Sequence, residues 1–361
     1  GVRKHCMLFN TRVFIAANGD LLACCSDIDA STKLGNIASQ SLKEILLKKI
    51  NRIESGHLFA ICHKCNDKSA DCSVENLLKF AMRYQESGSN FWCGELLSFA
   101  CSLEPDNRDA LLNYGTFCFQ NRKYDEALHL LQKASARFPN DSLIYNNLGA
   151  VYRKNGSLEE AADAFNHAVS CSPEFIGAIA NLGDVLSELG KDEEAEQAYR
   201  TALDKDPCMH DVWKALANLL WRGGRFQEAH EAYERSLEID PAQPDVYADL
   251  GLMNMELGFK DNAIVAYSRA LEIEACSPFL LCRLATLYAE TGRADEAEIL
   301  LLQAIEYAPE DSEAYNIFSN FLRLQGRYKE AEEIALKSLT INEYDYLAHC
   351  NLGNVFFESQ R

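Results

Sequence analysis

Apolar and small residues recur every 34 residues from about Val74 to the C-terminus. In the copy that begins at Ser142, these residues have the spacing of two amphipathic helices: Tyr145, Leu148, Gly149, Tyr152, Ala161, Phe165 and Ala168. Asn155-Gly156 interrupts the pattern between the two helices, and Pro173 ends the second helix before the next copy. Each copy therefore predicts a helix–turn–helix unit whose small residues let its two helices approach closely.

Copies begin at residues 74, 108, 142, 176, 210, 244, 278, 312 and 346, which gives eight full units and a partial ninth. We number the residues of each unit from position 1 to position 34. A single unit leaves apolar surface bare, so neighbouring units must stack. The unit at 74 is the weakest match, because the loop between its helices looks longer and is polar. We expect this unit to cap the array.

The repeated pattern resembles the tetratricopeptide repeat (TPR), a pair of antiparallel helices. The resemblance implies that residues 74–361 form a right-handed α-superhelix, or α-solenoid. The predicted fold class is therefore mainly α, with a small α+β domain formed by residues 1–73 in front of the array.

The front segment predicts a two-stranded ribbon followed by a helix. The short apolar runs Val13–Ala16 and Leu21–Cys24 flank Asn18-Gly19, a dipeptide that favours a tight hairpin turn. Leu34–Ile37 is expected to be a turn or a short extended piece. Ser41 is placed to cap a helix that continues through Ile50.

Charge is distributed unevenly along the 361 residues, whose formal net charge is −19. Residues 1–73 hold 10 Lys and Arg and 7 Asp and Glu, which leaves 25 and 47 for the repeats. An acidic array repels phosphate backbones, so nucleic acid is not an expected partner. A solvated surface that aids solubility and an electrostatic recognition site are both consistent with this excess.

No apolar run is long enough for a transmembrane helix, which needs about 18 residues, so we expect a cytoplasmic protein without a membrane partner. The chain begins Gly-Val-Arg, and we expect its natural N-terminus to lie upstream.

Six of the 14 cysteines lie in the first 72 residues: Cys6, Cys24, Cys25, Cys62, Cys65 and Cys72. The other eight are scattered without a repeated phase, as expected of buried thiols in a reducing compartment. Cys62-x-x-Cys65 can present two thiolates to one metal centre, and Cys6 and Cys24 can supply two more. Four thiolates suit either zinc or an iron–sulfur cluster, and the residue types leave both open.

The spacing of these cysteines resembles the SPASM/twitch module of radical S-adenosylmethionine enzymes. The resemblance is carried by Cys6, Gly19, Cys24, the Leu34–Ile37 segment and Cys62-x-x-Cys65. It implies an auxiliary [4Fe–4S] cluster with Cys6, Cys24, Cys62 and Cys65 as its ligands. Only one further cysteine, Cys72, follows before the repeats, so a single cluster is expected. The Cys-x-x-x-Cys-x-x-Cys motif of the radical core is absent, so we do not expect radical chemistry from the given chain.

Asparagines at position 6 are candidates for binding a peptide. An amide donates and accepts hydrogen bonds at once, and TPR proteins of the resembled kind can bind peptide backbones through an asparagine ladder. The candidates are Asn113, Asn147 and Asn181, with Trp221 as an aromatic anchor. The ladder is interrupted at Ala215, Asp249, Arg283 and Ile317. Solvent-facing asparagines without a role, and a Trp221 packed between units, remain alternatives.

Two functional hypotheses follow. In the first, a protein- or peptide-binding TPR scaffold is fused to an auxiliary [4Fe–4S] domain, as the C-terminal part of a radical enzyme that modifies peptides or proteins. The alternative is a non-enzymatic interaction scaffold stapled by structural zinc. No catalytic residues are predicted within the chain itself, so its enzyme status is left open.

Overall fold

The computed structural model describes residues 14–15, 20–22, 33–36, 74–86, 88 and 90–359. The first three ranges are described by their backbone alone. The predicted helix, which begins at Ser41 and ends near Glu54, lies outside these residues, as do the four predicted ligands Cys6, Cys24, Cys62 and Cys65.

Three short strands form an antiparallel sheet near the N-terminus: β1 (Phe14–Ile15), β2 (Asp20–Leu22) and β3 (Lys33–Asn36). Phe14 pairs with Leu22 and Ile15 with Leu21, which confirms the predicted ribbon between the two apolar runs. The third strand pairs with β2, so the segment expected to be a turn or an extended piece is extended from Leu34 to Asn36.

The chain divides into two compact units, residues 1–175 and residues 176–361. The helices of the first unit are α1 (Val74–Glu86), α2 (Asn90–Leu103), α3 (Arg108–Gln120), α4 (Tyr124–Arg137), α5 (Ser142–Lys154) and α6 (Leu158–Cys171). Those of the second are α7 (Ile176–Glu188), α8 (Asp192–Lys205), α9 (His210–Arg222), α10 (Phe226–Ile239), α11 (Pro244–Glu256), α12 (Lys260–Ile273), α13 (Pro278–Glu290), α14 (Ala294–Tyr307), α15 (Ser312–Leu324), α16 (Tyr328–Ile341) and α17 (Tyr346–Glu358).

The seventeen described helices form eight pairs and one unpaired helix, as the period predicts. Within each pair, a first helix of 13 residues is followed by a second helix of 14. Three residues separate α1 from α2, as in the other pairs, so the expectation of a longer loop in the first unit is wrong. Among the described helices, none is long and apolar enough to cross a membrane.

A residue in the left-handed region closes the turn inside each pair. Gly156 has φ of +78°, and its amide N–H donates to the carbonyl of Arg153, while the amide of Ser157 donates to that of Tyr152. Glycine adopts this conformation without a steric penalty. The turn between α3 and α4 uses Arg122 instead, with φ of 60°.

The core of a pair depends on a small residue at position 8 of the first helix. At Gly149 on α5, an added Cβ would lie 2.8 Å from Cε1 of Phe165 on α6, whose side chain is buried. Ala161 and Ala168 on α6 are also fully buried, as predicted. Tyr145 and Tyr152 are only half-buried and pack on the edge of this core.

The same contact recurs in the second unit, where the ring at position 24 is a tyrosine. A Cβ added at Gly183 would lie 2.7 Å from Cε1 of Tyr199, and one added at Gly251 would lie 2.7 Å from Cε1 of Tyr267. Gly353 occupies position 8 of the unpaired helix α17, and nothing lies within 4 Å of its Cβ direction. The glycine is therefore required by the ring of the second helix.

The contact predicts that G149V destabilises the first unit while G353V does not. Crowding a close-packed ring costs about 1–3 kcal/mol, whereas an open helical position favours valine slightly over glycine. Thermal and urea unfolding of both variants and the parent would measure this difference. Equal stability losses for the two variants would contradict the assigned role of the contact.

Candidate functional site

The predicted asparagines are distributed over both units. Asn113 is half-buried on α3, and Asn181 is half-buried on α7 in the second unit. Asn147 lies on α5, where its Nδ2 donates to Oγ1 of Thr116 on α3 at 2.9 Å. Part of the hydrogen-bonding capacity of Asn147 is thus used to join neighbouring first helices, and one N–H and an oxygen lone pair remain for a ligand.

Trp221 is half-buried at the end of α9. Its Nε1–H donates to Oε2 of Glu256, at the end of α11, at 2.9 Å. The indole therefore bridges two first helices, and part of its ring remains accessible. This placement is compatible with both predicted roles, a structural tryptophan between units and an anchor for a ligand.

Lys214 and Arg222, two cations on the same helix as Trp221, are engaged in ion pairs. Lys214 pairs with Asp245 on the next first helix. Arg222 donates to Oδ1 of Asp192 at 2.7 Å and to Oγ of Ser187 at 2.9 Å. Their charges are therefore balanced within the second unit.

Three tyrosine hydroxyls reach the first helices from position 24 of consecutive pairs. Tyr199 donates to Oδ1 of Asp184 at 2.9 Å, and Tyr233 donates to Oδ1 of Asn218. Both acceptors occupy position 9. The third hydroxyl, that of Tyr267, differs from the other two.

Leu252 occupies position 9 in the pair of Tyr267, so the usual acceptor is missing. The Tyr267 side chain is fully buried, and its Oη has no hydrogen-bond partner among the described residues. Burial raises the pKa of Tyr267 to about 12, with Arg283 lowering it and Asp249 raising it, so both charges act on this hydroxyl. A buried hydroxyl without a partner is destabilising.

Asp249 and Arg283 occupy position 6 of α11 and α13, two consecutive first helices. Burial raises the pKa of Asp249 to about 6; Lys214 opposes the shift, and no hydrogen-bond donor from the described residues contributes to it. The Arg283 guanidinium lies 4.9 Å above the Phe279 ring and 3.7 Å from Oε1 of Glu313. Its Nε is buried without a partner among the described residues.

Sequence reasoning did not single out Tyr267, because the state of its hydroxyl depends on residues of two helices. A signal was nevertheless present. Position 24 is tyrosine in three consecutive units, and position 9 changes from Asp184 and Asn218 to Leu252 in the third. A tyrosine at position 24 without a polar residue at position 9 therefore distinguishes this pair in the sequence.

The described cysteines are all free thiols, and the eight of them vary in burial. Cys93, Cys118 and Cys282 are buried, as expected, and burial raises the pKa of Cys118 and of Cys282 to about 12. Cys208 and Cys276 are exposed, so the expectation of burial is wrong for them. Within the described residues, no group of three His, Cys, Asp or Glu side chains could hold a metal ion.

Three family models match the chain. The model described as the C-terminal domain of cilia and flagella-associated protein 70 matches residues 141–351, more than half of the chain. A tetratricopeptide repeat model matches residues 107–174. The SPASM iron–sulfur cluster-binding domain model matches residues 6–66. The predicted repeat class is confirmed, and the front segment is similar to the predicted module.

A curated relative, the peroxisomal targeting signal receptor of Candida albicans, is 29% identical over 86 residues. These residues make up 23% of this chain, which spans only 14% of the length of that relative.

Two solved structures show the fold. The C-terminal part of a TPR repeat-containing protein from Cytophaga hutchinsonii has a TM-score of 0.56 at 20% identity, over 67% of this chain and 99% of that one. The APC/C hetero-tetramer Cut9–Hcn1 has a TM-score of 0.50 at 17% identity, over 85% of this chain and 59% of that one. The α-solenoid prediction for the repeats is thereby confirmed.

The contrast between the tyrosines predicts opposite stabilities for Y267F and Y233F. Y233F removes the donor to Asn218 and should lower the free energy of unfolding by about 1 kcal/mol. Y267F removes a buried hydroxyl without a partner, so its stability should equal or exceed that of the parent. Urea unfolding of the two matched variants would measure this difference. A clear loss of stability in Y267F would show that its hydroxyl is satisfied in solution.

Proposed function

The chain belongs to the family of the cilia and flagella-associated protein 70 C-terminal domain, and from that premise we propose that residues 74–361 form a scaffold that binds a protein or peptide. The ligand lies on the surface lined by the first helices. The curated relative from Candida albicans is named as a targeting signal receptor. That name supports a binding role for the repeats of this chain.

The observation that carries the proposal is the presence of half-buried amide side chains on the first helices: Asn113 and Asn147 in the first unit and Asn181 in the second. Asn147 keeps one N–H and one oxygen lone pair beyond its own hydrogen bonds. Main-chain amides of an extended peptide donate and accept hydrogen bonds, so they can satisfy such groups. Trp221 adds a half-buried aromatic side chain in the second unit.

The front segment is the second part of the proposal. Residues 1–73 hold an auxiliary [4Fe–4S] cluster through Cys6, Cys24, Cys62 and Cys65, which would supply a redox-active centre. The similarity of residues 6–66 to the SPASM model supports this assignment, and four thiolates suit the chemistry of such a cluster. The same four thiolates also suit zinc, and metal analysis of the purified protein distinguishes zinc from iron.

In this proposal the chain is the C-terminal part of a radical S-adenosylmethionine enzyme that modifies peptides or proteins. The array delivers the substrate, and the reacting centre lies in a domain that the chain does not contain. Without such a domain, the chain acts as a binding scaffold alone.

The cluster assignment predicts that protein purified without oxygen contains about four iron atoms per chain and absorbs broadly in the visible range. C62A and C65A should each remove most of this iron, because a cluster held by three thiolates is labile. C25A is the matched control and should retain it. Colourless protein with one zinc per chain would contradict the cluster and favour the zinc-stapled scaffold.

The binding assignment predicts that the full chain binds a labelled pool of randomised dodecapeptides. Fluorescence anisotropy of the peptides would measure this binding. A variant with N113A, N147A and N181A should bind about tenfold more weakly, because several hydrogen bonds to the peptide are lost. The matched control combines N166A and N262A on the exposed faces of second helices and should bind like the parent. Equal affinity of all three proteins would show that these asparagines do not contribute to peptide binding.

A further inference from the structure

The outward face of α14 carries apolar side chains that the core of the second unit does not use. The helix packs against α13 of its own pair and against α15 of the next pair. Its buried residues Ala297, Leu301 and Ala304 belong to the core that these helices share. Ile299 and Leu302 lie on the opposite side of the helix and are 55% and 51% exposed. Formation of the core therefore leaves both side chains in solvent.

Equivalent positions on the flanking second helices are also apolar. Val265 on α12 shares position 22 with Ile299, and Leu336 on α16 shares position 25 with Leu302; both are exposed. Single exposed apolar residues are common on protein surfaces, whereas a group of them on one face marks an interaction site. In the two preceding pairs of the second unit, these positions hold only polar residues: Gln197, Arg200, Glu231 and Glu234.

Two exposed carboxylates lie at the ends of this apolar face. Asp295 precedes Ile299 by four residues, and Glu306 follows Leu302 by four residues. Residues at this spacing lie on one side of a helix, so α14 presents an acid, two apolar side chains and a second acid in a line to solvent.

The two carboxylates at the ends of the line have no counter-charge. The 14 residues of α14 include four acids and neither Lys nor Arg. Glu296 pairs with Arg293, and Glu298 pairs with Arg327 at 2.6 Å. The other two acids form no salt bridge within the part of the chain that the structure describes.

We propose that the outward face of α14, with Val265 and Leu336 beside it, binds an amphipathic helix of a partner protein that carries Lys or Arg at both ends of its apolar stripe. The apolar side chains of the partner cover Ile299 and Leu302, and its cations pair with the two carboxylates at the ends of the line. This surface belongs to second helices, so the inference does not depend on binding to the first helices.

Charge selects a basic partner over the other candidates for an apolar face. A second copy of the chain would bring its own carboxylates against Asp295 and Glu306, and an anionic membrane would bring phosphates, so both would be repelled. A basic helix replaces this repulsion by attraction. Apolar burial supplies most of the binding free energy, because exposed ion pairs contribute little.

The test uses a labelled, alanine-based peptide of about 18 residues, which is long enough to form a helix. Two leucines lie three residues apart at its centre, and one lysine lies four residues beyond each leucine. Two companion peptides carry glutamine or glutamate in place of both lysines. By fluorescence anisotropy at low ionic strength, the full chain should bind the lysine peptide about fivefold more tightly than the glutamine peptide, and the glutamate peptide most weakly.

The apolar part of the surface is tested by combining I299Q and L302Q. This variant should bind the lysine peptide about tenfold or more weakly, because apolar contact area is lost. Glutamine is a good helix former, so the exposed positions tolerate it. L324Q is the matched control, since Leu324 on α15 is equally accessible to solvent, and it should bind within about twofold of the parent.

The charged part is tested by combining D295N and E306Q, which should bring the preference for lysine over glutamine to near unity. The matched control combines E193Q and D204N. These residues are exposed at the same two positions of α8, whose outward face lacks the apolar pair. The control should keep the preference within about twofold.

The remaining outcomes separate this surface from the alternatives. The variant with N113A, N147A and N181A should bind the lysine peptide like the parent; a loss in this variant would place the peptide on the first helices and overturn the inference. Absence of binding, equal binding of the three peptides, or equal losses in L324Q and the I299Q–L302Q variant would also overturn it. Sedimentation should show a monomeric parent, and a dimer that I299Q with L302Q dissociates would assign the face to a second copy instead.

Discussion

The close contact between a glycine at position 8 of the first helix and the side chain at position 24 of the second helix is the constraint on which four of the described pairs depend. Gly149 and Gly183 leave no room for a Cβ against Phe165 and Tyr199. The ring therefore limits how closely the two helices of such a pair approach each other. Buried alanines of the second helix, such as Ala161 and Ala168, complete the same core.

The same position determines which hydrogen bonds form inside a pair. A tyrosine at position 24 fills the core with its ring and brings its hydroxyl to the first helix, where position 9 receives it. In the pairs of Tyr199 and Tyr233 the hydroxyl donates to the protein itself. In the pair of Tyr267, Leu252 occupies position 9, and the buried hydroxyl has no hydrogen-bond partner among the described residues.

Much of the repeat architecture could be predicted from the sequence, because local signals determine it. The 34-residue period predicted where the helices lie. Turn chemistry predicted the break at Gly156, and the need for close packing predicted the role of Gly149. The apolar runs that contain Phe14 and Leu22 predicted the paired strands correctly. The loop after α1 was misjudged because its polar residues suggested length, whereas the spacing of the unit had already determined it. The left-handed conformation of Arg122 could not be predicted, because arginine as a residue type does not favour a positive φ.

The candidate site was predicted less well, because hydrogen-bond partners depend on residues from different helices. Asn147 was a sound candidate, yet its bond to Thr116 joins two units and reduces what it can offer. Among the described residues the Tyr267 hydroxyl has no partner, because Leu252, fifteen positions earlier and on another helix, is apolar. Such contacts require coordinates, whereas the assignment of Cys6, Cys24, Cys62 and Cys65 as ligands rests on spacing and resemblance alone.

The state of position 9 has a consequence for how such arrays diversify. Tyr267 keeps the burial of Tyr199 and Tyr233, although its hydroxyl lacks the acceptor at position 9. Substitutions at position 9 can therefore change the hydrogen bonding of one repeat while the packing of its ring is retained.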